Sequence, residues 1–186
     1  MKPAEFYKQG LCYADFLTKY GSEGDRRRWQ QVWSKTRLIP EQESLLRSFV
    51  REMHVLCMAG AWCGDCVDQC PIFQVFEELS AVIHVRYLDR DAFPQLKELL
   101  TICGGARVPQ VVFFSEDMQE VGRYGDRTLA KYRQMATSLA GSACSTGNLG
   151  EAQQQHAEVI QGWLNEFERI QLILRTSPRL REKHAD

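Results

Sequence analysis

Trp62-Cys63-Gly64-Asp65-Cys66 carries two thiols at a spacing suited to redox chemistry. If a helix begins at the first cysteine, the two lie one turn apart and can close a disulfide. The first thiol then sits at a helix N-terminus, where unpaired backbone N–H groups and the positive end of the dipole favour a thiolate. The thiolate is the form that attacks disulfides. Cys63 is therefore read as the nucleophile and Cys66 as the thiol that resolves the mixed disulfide. Zinc sites use the same spacing, but they want four ligands, commonly a second Cys-x-x-Cys or a paired His. There is no second such motif, and His54, His84, His156 and His184 show no paired spacing. Cys70 and Cys57 complete a rival set, Cys57, Cys63, Cys66 and Cys70. The preferred reading needs no metal and no bound cofactor.

These thiols require a strand that ends just before a helix. Val55–Ala59 is an apolar run of strand length. After the motif, Val67, Phe73, Val75, Phe76 and Leu79 recur at roughly helical intervals, predicting a helix from about Cys63 to Leu79. Ile83, Val85 and Tyr87 alternate with polar residues and predict a strand. Residues 92–101 read as a short helix. Strands over 108–114 and 119–124 form a hairpin, and a helix follows at about 127–140, with Leu129, Tyr132, Met135, Ala136 and Leu139 grouped along it. The first of these strands opens with Val108-Pro109. Proline is tolerated at the first residue of a strand, and it makes a cis peptide bond cheap.

Strand, Trp-Cys-Gly-Asp-Cys, helix, strand, helix, then Val-Pro and an apolar strand: this order resembles the thioredoxin family. Pro71, five residues after Cys66, matches a helix-kinking proline of that family, and Gly122 with Tyr124-Gly125 looks like its last hairpin. The Trp-Cys-Gly-Asp-Cys pair, the Leu88-Asp89-Arg90-Asp91 turn and the Gly122-Arg123-Tyr124-Gly125 turn are most similar to bacterial thioredoxin-like proteins. The resemblance covers about Pro40 to Gly141. It implies an α/β thioredoxin-like fold, a central mixed β-sheet flanked by helices, with helical extensions at both ends. The expected division is 1–39 for the N-terminal extension, 40–141 for the thioredoxin-like domain, and 142–186 for a linker and C-terminal helix. It further implies a redox-active centre at Cys63 and Cys66 and a substrate groove bounded by Pro109, with the Val108 backbone free to pair with a substrate chain. Protein disulfides as substrates and a thiol reductase as electron donor are implied in the same way. The competing function is a thioredoxin-fold scaffold that binds without catalysis.

Two positions depart from the family pattern. Asp65 stands where proline is commonest. Its carboxylate, with Gly64 between it and Cys63, opposes a thiolate at the helix start and predicts a site at the reducing end of the range. Cys57, six residues before Cys63, stands where many thioredoxins bury an aspartate, and is read as a small buried hydrophobe. Cys70 is read as an inert buried thiol, with a second partner for Cys66 as the alternative. Trp62 is expected to shield the pair and offer an apolar contact. Asp89, Asp91 and Arg127 are assigned to turns.

Upstream, residues 4–20 read as one amphipathic helix, weakened by Gly10. Residues 25–37 form a second, opening on Arg26, Arg27 and Arg28, a solvated face. Pro40 opens a third, with Leu45, Leu46, Phe49 and Val50 as its stripe. Downstream, small residues from Gly141 to Gly150 suggest a linker, with Asn148 and Glu151 spaced like a capping box. A long helix over 151–175 carries Val159, Ile160, Trp163, Leu164, Phe167, Ile170 and Leu174. This stripe is too apolar to stay wet. It is expected to pack on the same domain, with helices 4–20 and 25–37, or on a second copy as a homodimer. The charged tail from Thr176 is expected to fray.

Composition narrows the function. The chain has 186 residues and a formal net charge of −1, which lacks the basic excess of a nucleic-acid binder. No stretch suits a membrane span. Met1-Lys2-Pro3-Ala4-Glu5-Phe6 has no apolar signal core. Seven cysteines without a framework spacing read as mostly reduced thiols in a cytoplasmic protein.

Overall fold

The computed structural model describes residues 2–139 and 149–186. The expected linker around 141–148, with Cys144 and Asn148, lies outside the described residues. A four-stranded mixed sheet is built from β1 (Met53–Ala59), β2 (Ile83–Asp89), β3 (Gln110–Ser115) and β4 (Glu120–Gly125) in the order β2-β1-β3-β4. β1 runs parallel to β2 and antiparallel to β3, and β3 is antiparallel to β4. β1 is central, and all of it except His54 is buried. That burial is why its sequence is a continuous apolar run and not an alternating one.

Side chains on a strand alternate between faces. Cys57, Tyr87 and Phe113 point to the face covered by α5 (Gly64–Leu79) and α8 (Leu149–Thr176). At the β2 end of this face, Phe16 of α2 (Tyr13–Tyr20) and Trp29 of α3 (Glu23–Lys35) pack on Tyr87. His54, His84 and Phe114 point the other way, where Tyr7 of α1 (Pro3–Tyr7) packs tilted against His54 and edge-on to Phe114. Phe93, the residue before α6 (Pro94–Leu99), meets Phe6 edge to face beside it. Helices on both faces of a mixed sheet are the architecture expected from the motif order.

Three expectations need correction. Residues 4–20 form two helices, α1 and α2. Between them Leu11 exchanges backbone hydrogen bonds with Tyr87, at 2.9 and 2.8 Å. Gly10 is what allows this approach, since a Cβ there would lie 2.6 Å from the Arg86 Cβ. The α8 stripe does not pack on α2 and α3. Trp163 sits edge-on to Phe73 and Tyr124, and Phe167 to Phe76 and Phe113, so α8 covers α5 and the β3–β4 hairpin. α8 therefore takes the sheet face next to α5, and α7 (Leu129–Leu139) buries nothing, leaving Leu129, Met135 and Leu139 exposed. The tail is not frayed: α9 (Pro178–His184) buries Leu180, while Arg179 pairs with Asp117 and His184 with Glu116.

The polar ends of the helices follow local rules. Ser22 caps α3 by accepting from the Asp25 N–H while Asp25 accepts from the Ser22 N–H. That reciprocal box satisfies two donors that would otherwise have no partner in the helix. Pro40 begins α4 (Pro40–Arg47), which buries Leu46, and Phe49 beyond it is buried too, whereas Val50 stays exposed.

Candidate redox site

β1 ends at Ala59, and the chain turns through Gly60–Trp62 to Cys63, the residue that caps α5. The helix thus starts one residue later than expected, at Gly64. Cys63 is partly exposed and Cys66 is fully buried, both as free thiols. The Gly60 N–H points at the Cys66 sulfur at 3.4 Å. Val108 and Pro109, joined by a cis peptide bond, lie beside the pair, and the Val108 carbonyl is 3.8 Å from Cys63 Sγ. Both residues precede the paired part of β3, which begins at Gln110. Trp62 is half-exposed, its ring 4.7 Å under the Arg90 guanidinium and its carbonyl accepting from Arg28. So the structure brings Trp62, Cys63, Gly64, Asp65, Cys66, Val108 and Pro109 to one end of the sheet.

The two thiols bear on each other's ionisation. Burial pushes the Cys66 thiol up, but hydrogen bonds from Cys63, Cys70 and the Gly60 N–H outweigh burial and hold it down to about 5, from an ordinary 9.0. Cys63 is pushed up, first by its bond to Cys66 and then by partial burial, while the N–H groups of Cys66 and Asp65 pull it down. Hydrogen bonds thus favour a thiolate within the pair, and Cys63 is the sulfur that solvent can reach.

Asp65 is not a bare charge. Its carboxylate pairs with Arg127 at 2.5 Å and with Lys131 at 3.3 Å. Arg127 also pairs with the buried Asp126 at 3.1 Å, so it ties the helix start to the chain after β4 and is no mere turn residue. Asp89 does hold a turn, accepting from the Asp91 and Ala92 N–H groups. Sequence reasoning also missed Gln69. It is fully buried, donates to the Asp65 and Asp126 carbonyls, and accepts from Trp163 Nε1 at 2.9 Å. A glutamine in the apolar run from Val67 to Phe73 was the available signal, because a buried amide needs partners.

Asp65 still opposes ionisation at Cys66. Asp65→Asn removes that charge and leaves Arg127 and Lys131 without it. The expected result is a lower first thiol pKa by ultraviolet titration and a higher reduction potential against glutathione. About 30 mV corresponds to 1.4 kcal/mol for a two-electron couple, so a modest charge effect is measurable. An unchanged or lower potential would show that Asp65 serves the helix start alone.

No set of three metal-ligating side chains converges among the described residues.

The thioredoxin family model matches residues 10–139. The match takes in α2 and α3 as well as the sheet, the cysteine pair and Pro109. Among solved structures, a protein of unknown function from Pseudomonas aeruginosa is 17% identical with a TM-score of 0.72, over 91% of this chain and 96% of its own. An HIV epitope-scaffold is 18% identical with a TM-score of 0.66, over 89% and 98%. At these identities the likeness is one of fold, and it extends over both terminal helical regions. No curated protein matches the sequence. Family match, sheet order and the placing of the cysteines at the end of β1 agree: this chain belongs to the thioredoxin family.

Proposed function

We propose that the protein is a thiol–disulfide oxidoreductase that reduces protein disulfides through Cys63 and Cys66. One observation carries the reading: a solvent-reachable thiol caps a helix directly above a buried partner thiol, beside the unpaired Val108–Pro109 segment. Cys63 attacks a substrate disulfide and forms a mixed disulfide, and Cys66 then attacks the Cys63 sulfur and releases the reduced substrate. A thiol reductase returns the electrons. The substrate chain lies against Val108, with Trp62 as its apolar contact. The setting is cytoplasmic, where thiols without a framework spacing stay reduced. No described helix is long and apolar enough to cross a membrane.

The test is insulin reduction with dithiothreitol. The wild type should speed precipitation of the insulin chains, and Cys63→Ser should not. Cys66→Ser should accumulate substrates as mixed disulfides that dithiothreitol releases. A wild type no faster than dithiothreitol alone would leave the scaffold reading in its place.

A further inference from the structure

Behind the surface pair lies a second pair of thiols that the proposed reaction does not use. Cys70 is one turn further along α5, and Cys57 faces it from β1 with the two sulfurs 3.9 Å apart. Both are fully buried. Cys66 precedes Cys70 by one turn of the same helix, which puts the two on one face, and Cys63 stands at the start of that helix. The four thiols thus lead from the partly exposed Cys63 through the buried Cys66 and Cys70 to Cys57 in the core. Tyr87, whose hydroxyl donates to the Cys70 carbonyl, closes the inner end.

We propose that Cys57 and Cys70 are a second redox pair, which takes a disulfide from Cys63–Cys66 and stores it in the core. The proposal rests on the oxidoreductase reading of the surface pair. In the first step Cys70 attacks the Cys66 sulfur of the oxidised surface pair. The Cys63–Cys66 bond breaks, a Cys66–Cys70 bond forms, and the proton of Cys70 goes to Cys63. In the second step Cys57 attacks the Cys70 sulfur, a Cys57–Cys70 bond forms, and Cys66 leaves as a thiol with the proton of Cys57. The inner dithiol is oxidised by two electrons and the surface disulfide is reduced by two, so no outside reactant enters.

Geometry assigns the resting place. Residues four apart on a helix keep their Cβ atoms about 5–6 Å apart, whereas a disulfide wants about 3.5–4.5 Å. The Cys66–Cys70 bond is therefore a transient. Cys57 and Cys70 belong to a strand and a helix packed on it, with sulfurs already in contact. Burial holds both inner thiols protonated, so the transfer should quicken as pH rises. Once it is complete, the surface pair is free to take a second disulfide, and the chain carries two electron pairs.

The experiment oxidises the reduced full chain with excess oxidised glutathione, quenches it in denaturant with an alkylating agent, and maps disulfides by mass spectrometry. Cleavage after Met58 and before Asp65 and Asp68 puts the four cysteines on separate peptides. The expected result is both linkages, Cys63–Cys66 and Cys57–Cys70, with the inner one appearing later and faster at higher pH. Cys63→Ser, which cannot form the surface disulfide, should leave Cys57 and Cys70 reduced. Cys63–Cys66 alone would overturn the inference and leave the oxidoreductase reading standing. Neither linkage would overturn both. An inner disulfide that forms equally in Cys63→Ser would overturn the relay.

Discussion

Phe167→Ala should lower the unfolding free energy by about 3–5 kcal/mol, the usual cost of emptying a buried aromatic site. Phe167 is fully buried, with ring centroids 5.2 Å from both Phe76 and Phe113 and 5.8 Å from Phe73. It thus bridges α5, β3 and α8. Its neighbours are aromatic rings held by a helix and a strand, so the site cannot collapse to fill the space, and the cavity term stays. A domain of this size is stable by roughly 5–15 kcal/mol, so the loss is a large share of the total. Urea unfolding should show a lower midpoint with an unchanged slope. A loss below about 1 kcal/mol would mean that α8 does not cover this face in solution.

That α8 covers the face was half legible. Its apolar stripe announced a buried helix, and the spacing of Trp163, Phe167, Ile170 and Leu174 placed the buried side correctly. The partner was not legible, because a stripe states how much surface must be covered and not by what. Two helices competed for the place beside α5. The helix that follows β4 directly had the better claim by connection, but Leu129, Met135 and Leu139 make a poorer stripe than Trp163, Phe167 and Ile170. The larger aromatic payload occupies the face. The break at Gly10 had a local signal. Its cause, the contact with Arg86, is long-range and invisible in the sequence.

The redox site divides in the same way. Cys63, Cys66 and the Val108–Pro109 segment were legible because strand-end, helix-start and strand-start rules are local. Arg127 and Lys131 were not, since they reach Asp65 across more than sixty residues and their own neighbourhood reads as an ordinary helix start. A charge beside a cysteine can be read from a motif. Its pairing with cations more than sixty residues away cannot. The Cys57–Cys70 contact was suggested only by type. Two buried cysteines on adjacent elements touch when strand and helix registers agree, and register is a tertiary property.

Gly125→Ala should damage stability and activity together. Gly125 has φ of +140°, a region that side chains rarely adopt, and a Cβ there would lie 2.4 Å from the Pro109 carbonyl oxygen. The obstructing atom is backbone, so no rotamer change relieves the clash. Overpacking of this kind costs about 1–3 kcal/mol, and the backbone conformation adds a further amount on the order of 1–3 kcal/mol. The relief available is a shift of the Val108–Pro109 segment, which in the proposed function lies against the substrate next to Cys63. A displacement near 1 Å at a reacting centre can cost about a hundredfold in rate. Insulin reduction by Gly125→Ala should therefore fall far more than the folded fraction does, measured at a temperature where circular dichroism shows the variant still folded. The thiolate titration should change little, because Gly60, Cys66 and Cys70 are untouched. A variant that is less stable but reduces insulin at the wild-type rate per folded molecule would separate Pro109 from catalysis, and the groove would then have to be sought elsewhere around Cys63.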